Sequence, residues 1–473
     1  MTTPATPRPN PAGPSSPAAP YAGQPLWKVF LAFLGPMVLS NMLQSMSGTV
    51  NSIYIGQMLG VGAMAAVSTF FPVLFFFIAF IIGLGAGSSV LIGQAWGAQK
   101  LERVKAIAGT SLMTGLLLGL AIAVLGGVFT APLLQALGTP ADILPDAISY
   151  ARIMLLATPG LFLFLLMTAM LRGVGDTLSP LLALLLSTIV GLMITPALIK
   201  GWLGLAPLGV TSAAWATMVA YGVAMAWLAW RLRHRPYRDH AHPMAPDAVF
   251  MRHLRIDRAI LGAVLRIGVP TGVQMVVISL AEVALLSMVN GFGSQATAAY
   301  GAVNQIVNYV QFPAISIAIT CSILGAQAIG AGHPQRLGLI VRTGLVMNLL
   351  LTGSLVLLGY LFSRHIIHLF IADAAVVDIA QNLLHIMLWS CVVMGMSGTL
   401  SGVMRASGAV LVPTAISIVC ILAVEIPVAW LLSRRIGLGG IWVGYPAAFL
   451  SMLALQTCYY WLVWRKRPIK RLV

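Results

Sequence analysis

Between residues 27 and 464 the chain alternates long apolar stretches with short polar connections. The stretches are continuous runs of about 20 residues rather than ten-residue segments with every second position apolar. They are the right length for helices that cross a bilayer and the wrong pattern for barrel strands. The pattern predicts twelve spans, at 27–53, 63–94, 104–129, 147–170, 179–199, 208–230, 260–290, 297–328, 337–361, 379–404, 411–432 and 440–464. Polar side chains inside them form stripes. Asn41, Gln44, Ser45, Gly48 and Asn51 recur at intervals of three and four in the first span, which places them on one helical face. Asn304, Asn308 and Gln311 do the same in the eighth span, and Gln274, Ser279 and Glu282 mark the seventh. Stripes of this kind either hydrogen-bond between helices or line a hydrated cavity, and their occurrence in the opening spans of both halves favours the cavity.

The chain is one unit written twice. Gly93-Gln94-Ala95-Trp96-Gly97-Ala98 returns 233 residues later as Ala326-Gln327-Ala328-Ile329-Gly330-Ala331. Arg103 then lands on Arg336, Leu171-Arg172-Gly173-Val174-Gly175 on Met404-Arg405-Ala406-Ser407-Gly408, and Pro180 on Pro413, while Pro36 and Pro270 pair at a shift of 234. Each copy has six spans, so both enter the membrane in the same direction. The fold class is therefore an all-α polytopic membrane protein with two six-helix lobes in a parallel repeat around a central cavity. The lobes are expected at 27–230 and 259–464, joined by a basic linker at 231–258, with a disordered tail at 1–26 and a basic tail at 465–473.

Composition agrees: 59% of residues are hydrophobic and 8% charged, against about 25% charged in a soluble domain. The net charge of +16 reflects topology rather than nucleic-acid binding. Lys and Arg gather in the tails, in the linker and in every second connection, while the opposite loops hold only Lys200, Arg364, Arg434 and Arg435. By the positive-inside rule both termini are expected in the cytoplasm, with attraction to anionic membrane lipids as a by-product. The Pro-, Ala-, Ser- and Thr-rich start lacks the apolar core of a signal peptide. Cys321, Cys391, Cys420 and Cys458 lie in spans, far apart and without metal-ligand spacing, so free thiols and no metal are expected.

Of 11 acidic residues, only Glu282 and Glu425 fall inside strongly apolar spans. An acid at the centre of a membrane helix costs about 2.5–3.5 kcal/mol on insertion scales. Such a group is retained where it faces a protein-lined or watery cavity, and there it serves a proton, an ion or a cationic ligand. Glu282 maps to Gly48 in the first half, so the acid occurs in one lobe only. Glu425 precedes Pro427, whose ring frees a backbone carbonyl, and can bind a cation or anchor a kink. His385 in the tenth span reads as a packing residue, and Asp176, four after Arg172, as part of a local ion pair or turn. Arg103, Arg172, Arg336 and Arg405 read as gating or structural groups that cap helix C-termini or meet lipid phosphates.

Gly35-Pro36-Met37, Thr49-Val50-Asn51-Ser52-Ile53-Tyr54-Ile55-Gly56, the GQAWGA run at 93–98, LRGVGDTLSP at 171–180 and their second-half echoes resemble the MATE (multidrug and toxic compound extrusion) transporters. The resemblance covers residues 27–464. It implies a two-lobed, V-shaped antiporter that exports organic cations or other amphiphiles in exchange for Na⁺ or H⁺, and it matches the family's span-seven acid to Glu282. Three departures concern the first lobe and the tenth span. Asn51 stands where members commonly have Asp. Gly191 and Thr195 stand where many have Asn and Asp before a proline, here Pro196. No Asp lies between Asp378 and Arg405. The coupling group is therefore expected in the second lobe, Glu282 first and Glu425 second, with Asn51 able to ligate Na⁺ or substrate but not to ionise.

The expected function is cation-coupled efflux by alternating access in an inner membrane, by a monomer that uses no cofactor beyond its coupling ion. H⁺ is preferred over Na⁺ because acids are so few. The alternative keeps the fold and carries an amphipathic lipid or lipid-linked precursor. An enzyme would need a nucleophile, base or metal cluster at depth, and neither HExxH nor paired aspartates nor clustered His occur.

Overall fold

Proline and glycine punctuate the apolar runs, and the helices begin and end accordingly. The computed structural model describes residues 24–202, 207–234, 242–370 and 373–473, among which there is no β-strand. The expected tail at 1–26 thus lies, apart from its last three residues, outside the described residues. The first lobe holds α1 (Leu26–Leu59), α2 (Val61–Gly97), α3 (Leu101–Ala136), α4 (Leu144–Leu156), α5 (Thr158–Val174), α6 (Leu178–Lys200) and α7 (Ser212–His234). A short α8 (Ala248–Arg252) lies in the linker. The second lobe holds α9 (Arg258–Asn290), α10 (Ser294–Gly330), α11 (Arg336–Leu361), α12 (Ser363–His368), α13 (Ala374–Met387), α14 (Ser390–Ala406), α15 (Leu411–Cys420), α16 (Ile426–Ile436) and α17 (Leu438–Leu462). Eleven helical segments are long and apolar enough to cross a membrane, and the bent pair α4–α5 makes up to 12.

Three expected spans are interrupted. The span at 147–170 bends by 48° between α4 and α5. Pro159 lacks an N–H there, and Thr158 Oγ1 donates to the carbonyls of Leu155 and Gly119 at 2.6 and 3.1 Å. The span at 379–404 breaks between α13 and α14. The span at 411–432 changes pitch through a single π turn, Ile421–Glu425, just before Pro427. A π turn shifts the register of the side chains that follow it, and such turns concentrate at functional sites.

The lobes are fastened to each other at the face that carries the linker. One apolar cluster contains Phe33, Ile92 and Leu171 of the first lobe together with Ile323, Leu400 and Met404 of the second. The far half of the second lobe has a separate cluster around Leu285, Val307, Leu384 and Trp442. The repeated Gln-x-x-Gly runs form the seam. Gln94 Nε2 donates to the Ala406 carbonyl at 2.8 Å, and Gln327 Nε2 donates to the Gly173 carbonyl at 2.9 Å. Residues 94 and 327 are 233 apart, as are 173 and 406, so one bond is the pseudo-symmetric image of the other. A Cβ on Gly97 would collide with the Gln327 carbonyl, and one on Gly330 with the Gln94 carbonyl. Glycine at these positions lets the backbones touch.

The linker is docked on the first lobe. Asp247 caps α8 and pairs with Lys105 at 3.3 Å, and Thr110 Oγ1 donates to the Arg255 carbonyl at 3.1 Å. His242 faces Asp176 at 3.5 Å, and both are buried. Asp176 is therefore part of a turn, where it accepts the Ser179 N–H at 2.9 Å, and it does not pair with Arg172. Burial opposes its ionisation, but the hydrogen bonds from His242 and Ser179 outweigh that and hold its carboxyl below the usual range. The basic tail folds back on the seam, where the Leu472 N–H donates to Gln94 Oε1 at 2.7 Å.

Candidate functional site

Away from the seam the lobes part around a cavity of about 490 Å³. Its wall is built from the repeat. α2 and α5 contribute from the first lobe, and α9, α10, α14, the π turn and α17 from the second. On α9 the lining residues Thr271, Gln274, Met275, Ile278, Ala281 and Glu282 recur at helical spacing, so Glu282 is the last polar rung of one face. It lies eight residues before the far end of α9 and is exposed to the cavity. Among the described residues no side chain hydrogen-bonds or ion-pairs with it.

Glu425 lines the same cavity from the π turn but is buried. The two carboxylates, 143 positions apart in sequence, line one cavity where α9 meets the π turn. Two tyrosines stand beside them. Tyr300 and Tyr445 share a hydroxyl contact at 3.3 Å, and Tyr445 lines the cavity with Glu282 and Glu425. A polar chain lies in the same wall: Ser397 Oγ donates to Gln456 Oε1 at 2.9 Å, and Gln456 Nε2 donates to Ser417 Oγ at 3.3 Å. Buried groups paired in this way hold structure. Glu282 is not so paired.

The cavity gathers only part of the predicted lining. Gln274, Asn304, Asn308 and Gln311 are in it. Ser279 is not, because it falls between Ile278 and Ala281 on a different side of α9. Asn41 is turned to α10, where its Nδ2 donates to Ser316 Oγ at 3.2 Å. Gln44 is exposed and outside the lining. Asn51 meets Thr195 Oγ1 at 3.4 Å within the first lobe. His385 Nε2 meets Ser363 Oγ at 3.2 Å, away from the cavity.

The arginines divide into two kinds. Arg103 and Arg336 lie in the first turns of α3 and α11, just after the ends of α2 and α10, and do not line the cavity. Arg172 and Arg405 lie in the last turns of α5 and α14, where the helix dipole favours a cation, and both also line the cavity. Sequence reading assigned them to helix ends and missed this exposure. Tyr445, Ser89 and Ser322 were missed as well. A signal was available for the serines, since 89 and 322 are related by the same shift of 233.

The MatE family model matches residues 36–197 and 270–431. The two matched stretches are equal in length and stand 234 residues apart, which is the internal repeat. The chain belongs to the MatE family. The "Probable multidrug resistance protein YoeA" of Bacillus subtilis is 44% identical to it over 450 residues, covering 95% of this chain and 96% of that one. The "FAD transporter" of Shewanella oneidensis is 27% identical over 356 residues, covering 75% and 76%. A crystal structure titled "Outward-facing conformation of a multidrug resistance MATE family transporter of the MOP superfamily" superposes with a TM-score of 0.84 at 22% identity, covering 94% of this chain and 98% of that one. This MatE chain is accordingly a multi-pass membrane protein with the two-lobed fold of those transporters.

Proposed function

We propose that this MatE protein is a cation-coupled antiporter that exports amphiphilic small molecules, organic cations among them, in exchange for H⁺ or Na⁺, with H⁺ preferred. The observation that carries this reading is Glu282, an unpaired carboxylate exposed to the interlobe cavity. The names of relatives such as the multidrug resistance protein YoeA agree with it. The basic linker face belongs in the cytoplasm of an inner-membrane protein by the positive-inside rule. The state described here, sealed at the linker face, is then outward-facing.

The cycle follows from one carboxylate with two exclusive occupants. Open to the outside, Glu282 takes a cation. Neutralised, it can pass through the closed, dry intermediate without an unpaired charge at depth. The Gln94 and Gln327 seam opens, the cavity faces the cytoplasm, and a cationic amphiphile displaces the ion. Glu425 sits close enough to feel which occupant is present, and the π turn gives α15–α16 a point of adjustment. A ligand moves such a two-state equilibrium only by its differential affinity for the states.

The test is export of rhodamine 123 from cells expressing wild type or Glu282→Gln, with pH and Na⁺ gradients imposed separately. Export driven by one gradient, and absent in the inserted variant, is expected. Export that ignores both gradients would overturn antiport.

A further inference from the structure

The cavity has a second polar level, at the end nearer the seam. Arg172 of α5 and Arg405 of α14 line it, together with Ser89 of α2 and Ser322 of α10. Each pair is related by the shift of 233, so the pseudo-two-fold places two guanidinium groups and two hydroxyls around one axis. Neither arginine has a carboxylate within ion-pair distance among the described residues. The acid next to Arg172 in sequence, Asp176, is turned instead to His242 and Ser179. Arg405 Nε is buried and has no hydrogen-bond partner.

A guanidinium carries five N–H donors and stays charged. Two of them in one cavity wall, without a carboxylate partner among the described residues, are expensive unless something answers their charge. Helix C-terminal dipoles offset part of that cost but leave two cavity-lining guanidinium groups without a counter-charge. The contrast with Ser397, Gln456 and Ser417 is direct, since those groups satisfy one another on the same wall. The acids Glu282 and Glu425 belong to the other level, so the cavity is bipolar along its length.

We propose that Arg172, Arg405, Ser89 and Ser322 form an oxyanion subsite that holds a carboxylate or phosphate group of an amphiphilic cargo. The planar forks suit such groups bidentately, and the serine hydroxyls complete the shell. The apolar body of the cargo lies against Ile82, Ile278, Ile315 and Met394, and any cationic end reaches Glu282. This deepens the efflux reading, on which it rests for the cavity being the cargo site. It adds zwitterionic and anionic amphiphiles to the cations.

The probes are rhodamine 110, which bears a free carboxylate, and rhodamine 123, its methyl ester. Their equilibrium binding to the purified full-length protein is compared without any ion gradient, so the result does not depend on coupling. In wild type the acid should bind more tightly than the ester by about tenfold or more, the scale of one charge-assisted hydrogen bond. In Arg172→Gln/Arg405→Gln that ratio should fall to about one, and Arg172→Lys/Arg405→Lys should recover part of it. If the glutamine variant does not purify folded, Ser89→Ala/Ser322→Ala should lower the ratio severalfold. A wild type that prefers the ester, or a ratio unchanged in the variants, would overturn the subsite. Failure of gradient-driven export with the ratio intact would overturn antiport and leave the subsite standing.

Discussion

The two lobes share one plan and differ in where they carry charge. Glu282 corresponds to Gly48 at the shift of 234, and Glu425 to Leu192 at the shift of 233 that pairs Pro180 with Pro413 in the same span. Neither acid of the second lobe thus falls on an acid of the first. The first lobe does not compensate nearby. Asn51 and Thr195 hydrogen-bond each other and cannot ionise. The seam, by contrast, is symmetric to the level of single bonds, with Gln94 and Gln327 each reaching a carbonyl of the opposite lobe. The seam is a property of the repeat, which both copies retain, and an acidic side chain on the cavity wall is a property of one copy. A duplicated membrane protein can place its chemistry in one lobe and use the other as the body against which it moves.

The largest expected effect comes from the acid that only one lobe has. Glu282→Gln should reduce gradient-driven export to background while insertion and dye binding persist, measured in vesicles with an imposed gradient. Next comes the symmetric seam. Gly97→Val or Gly330→Val would drive a side chain into backbone, and overpacking of this kind costs about 1–3 kcal/mol. The two variants should favour the state open at the linker face by similar amounts, read as interlobe distances by electron-electron resonance. A large effect from one and none from the other would break the symmetry argument.

Glu425→Gln should lower export severalfold and shift its pH profile without abolishing it, since Glu425 is buried behind Glu282. Asn51→Ala should change export less than about twofold. A loss of coupling in Asn51→Ala would return the first lobe to the chemistry and end the comparison. The smallest effect concerns the linker. The carboxyl of Asp176 is held below its usual range in the folded protein, so its contribution to docking is present above the unfolded value of about 4 and is lost as pH falls through the folded one. Asp176→Asn should speed amide exchange in residues 242–255 at neutral pH. Unchanged exchange would show that the Lys105–Asp247 pair, the Thr110 hydrogen bond and the packing of Phe250 hold the linker without Asp176.

The helices, the repeat and the place of Glu282 on the cavity wall were legible because each has a strong signal. Long apolar runs have one membrane solution, a repeated Gln-x-x-Gly run has a fixed shift, and a lone acid in an apolar span is costly. The partnership of Glu282 with Glu425 was not legible. It depends on α9 and the π turn meeting across the lobe, and no spacing in the sequence encodes that. The exclusion of Asn41, Gln44 and Ser279 from the cavity has the same origin. Helical spacing finds a face, but neighbouring helices decide what the face meets, and Asn41 met Ser316. The cavity lining by Arg172 and Arg405 was missed for a further reason. A cation in the last turn of a helix has a sufficient local explanation, which hid the fact that Arg172 and Arg405 also reach the cavity.

The most direct test is whether bound cargo and the coupling ion exclude each other at Glu282. Rhodamine 123 binding to purified protein in a weakly buffered solution should release about one proton in wild type and in Asn51→Ala, and none in Glu282→Gln. Proton release that survives in Glu282→Gln, or that disappears in Asn51→Ala, would contradict the assignment of coupling to the second lobe.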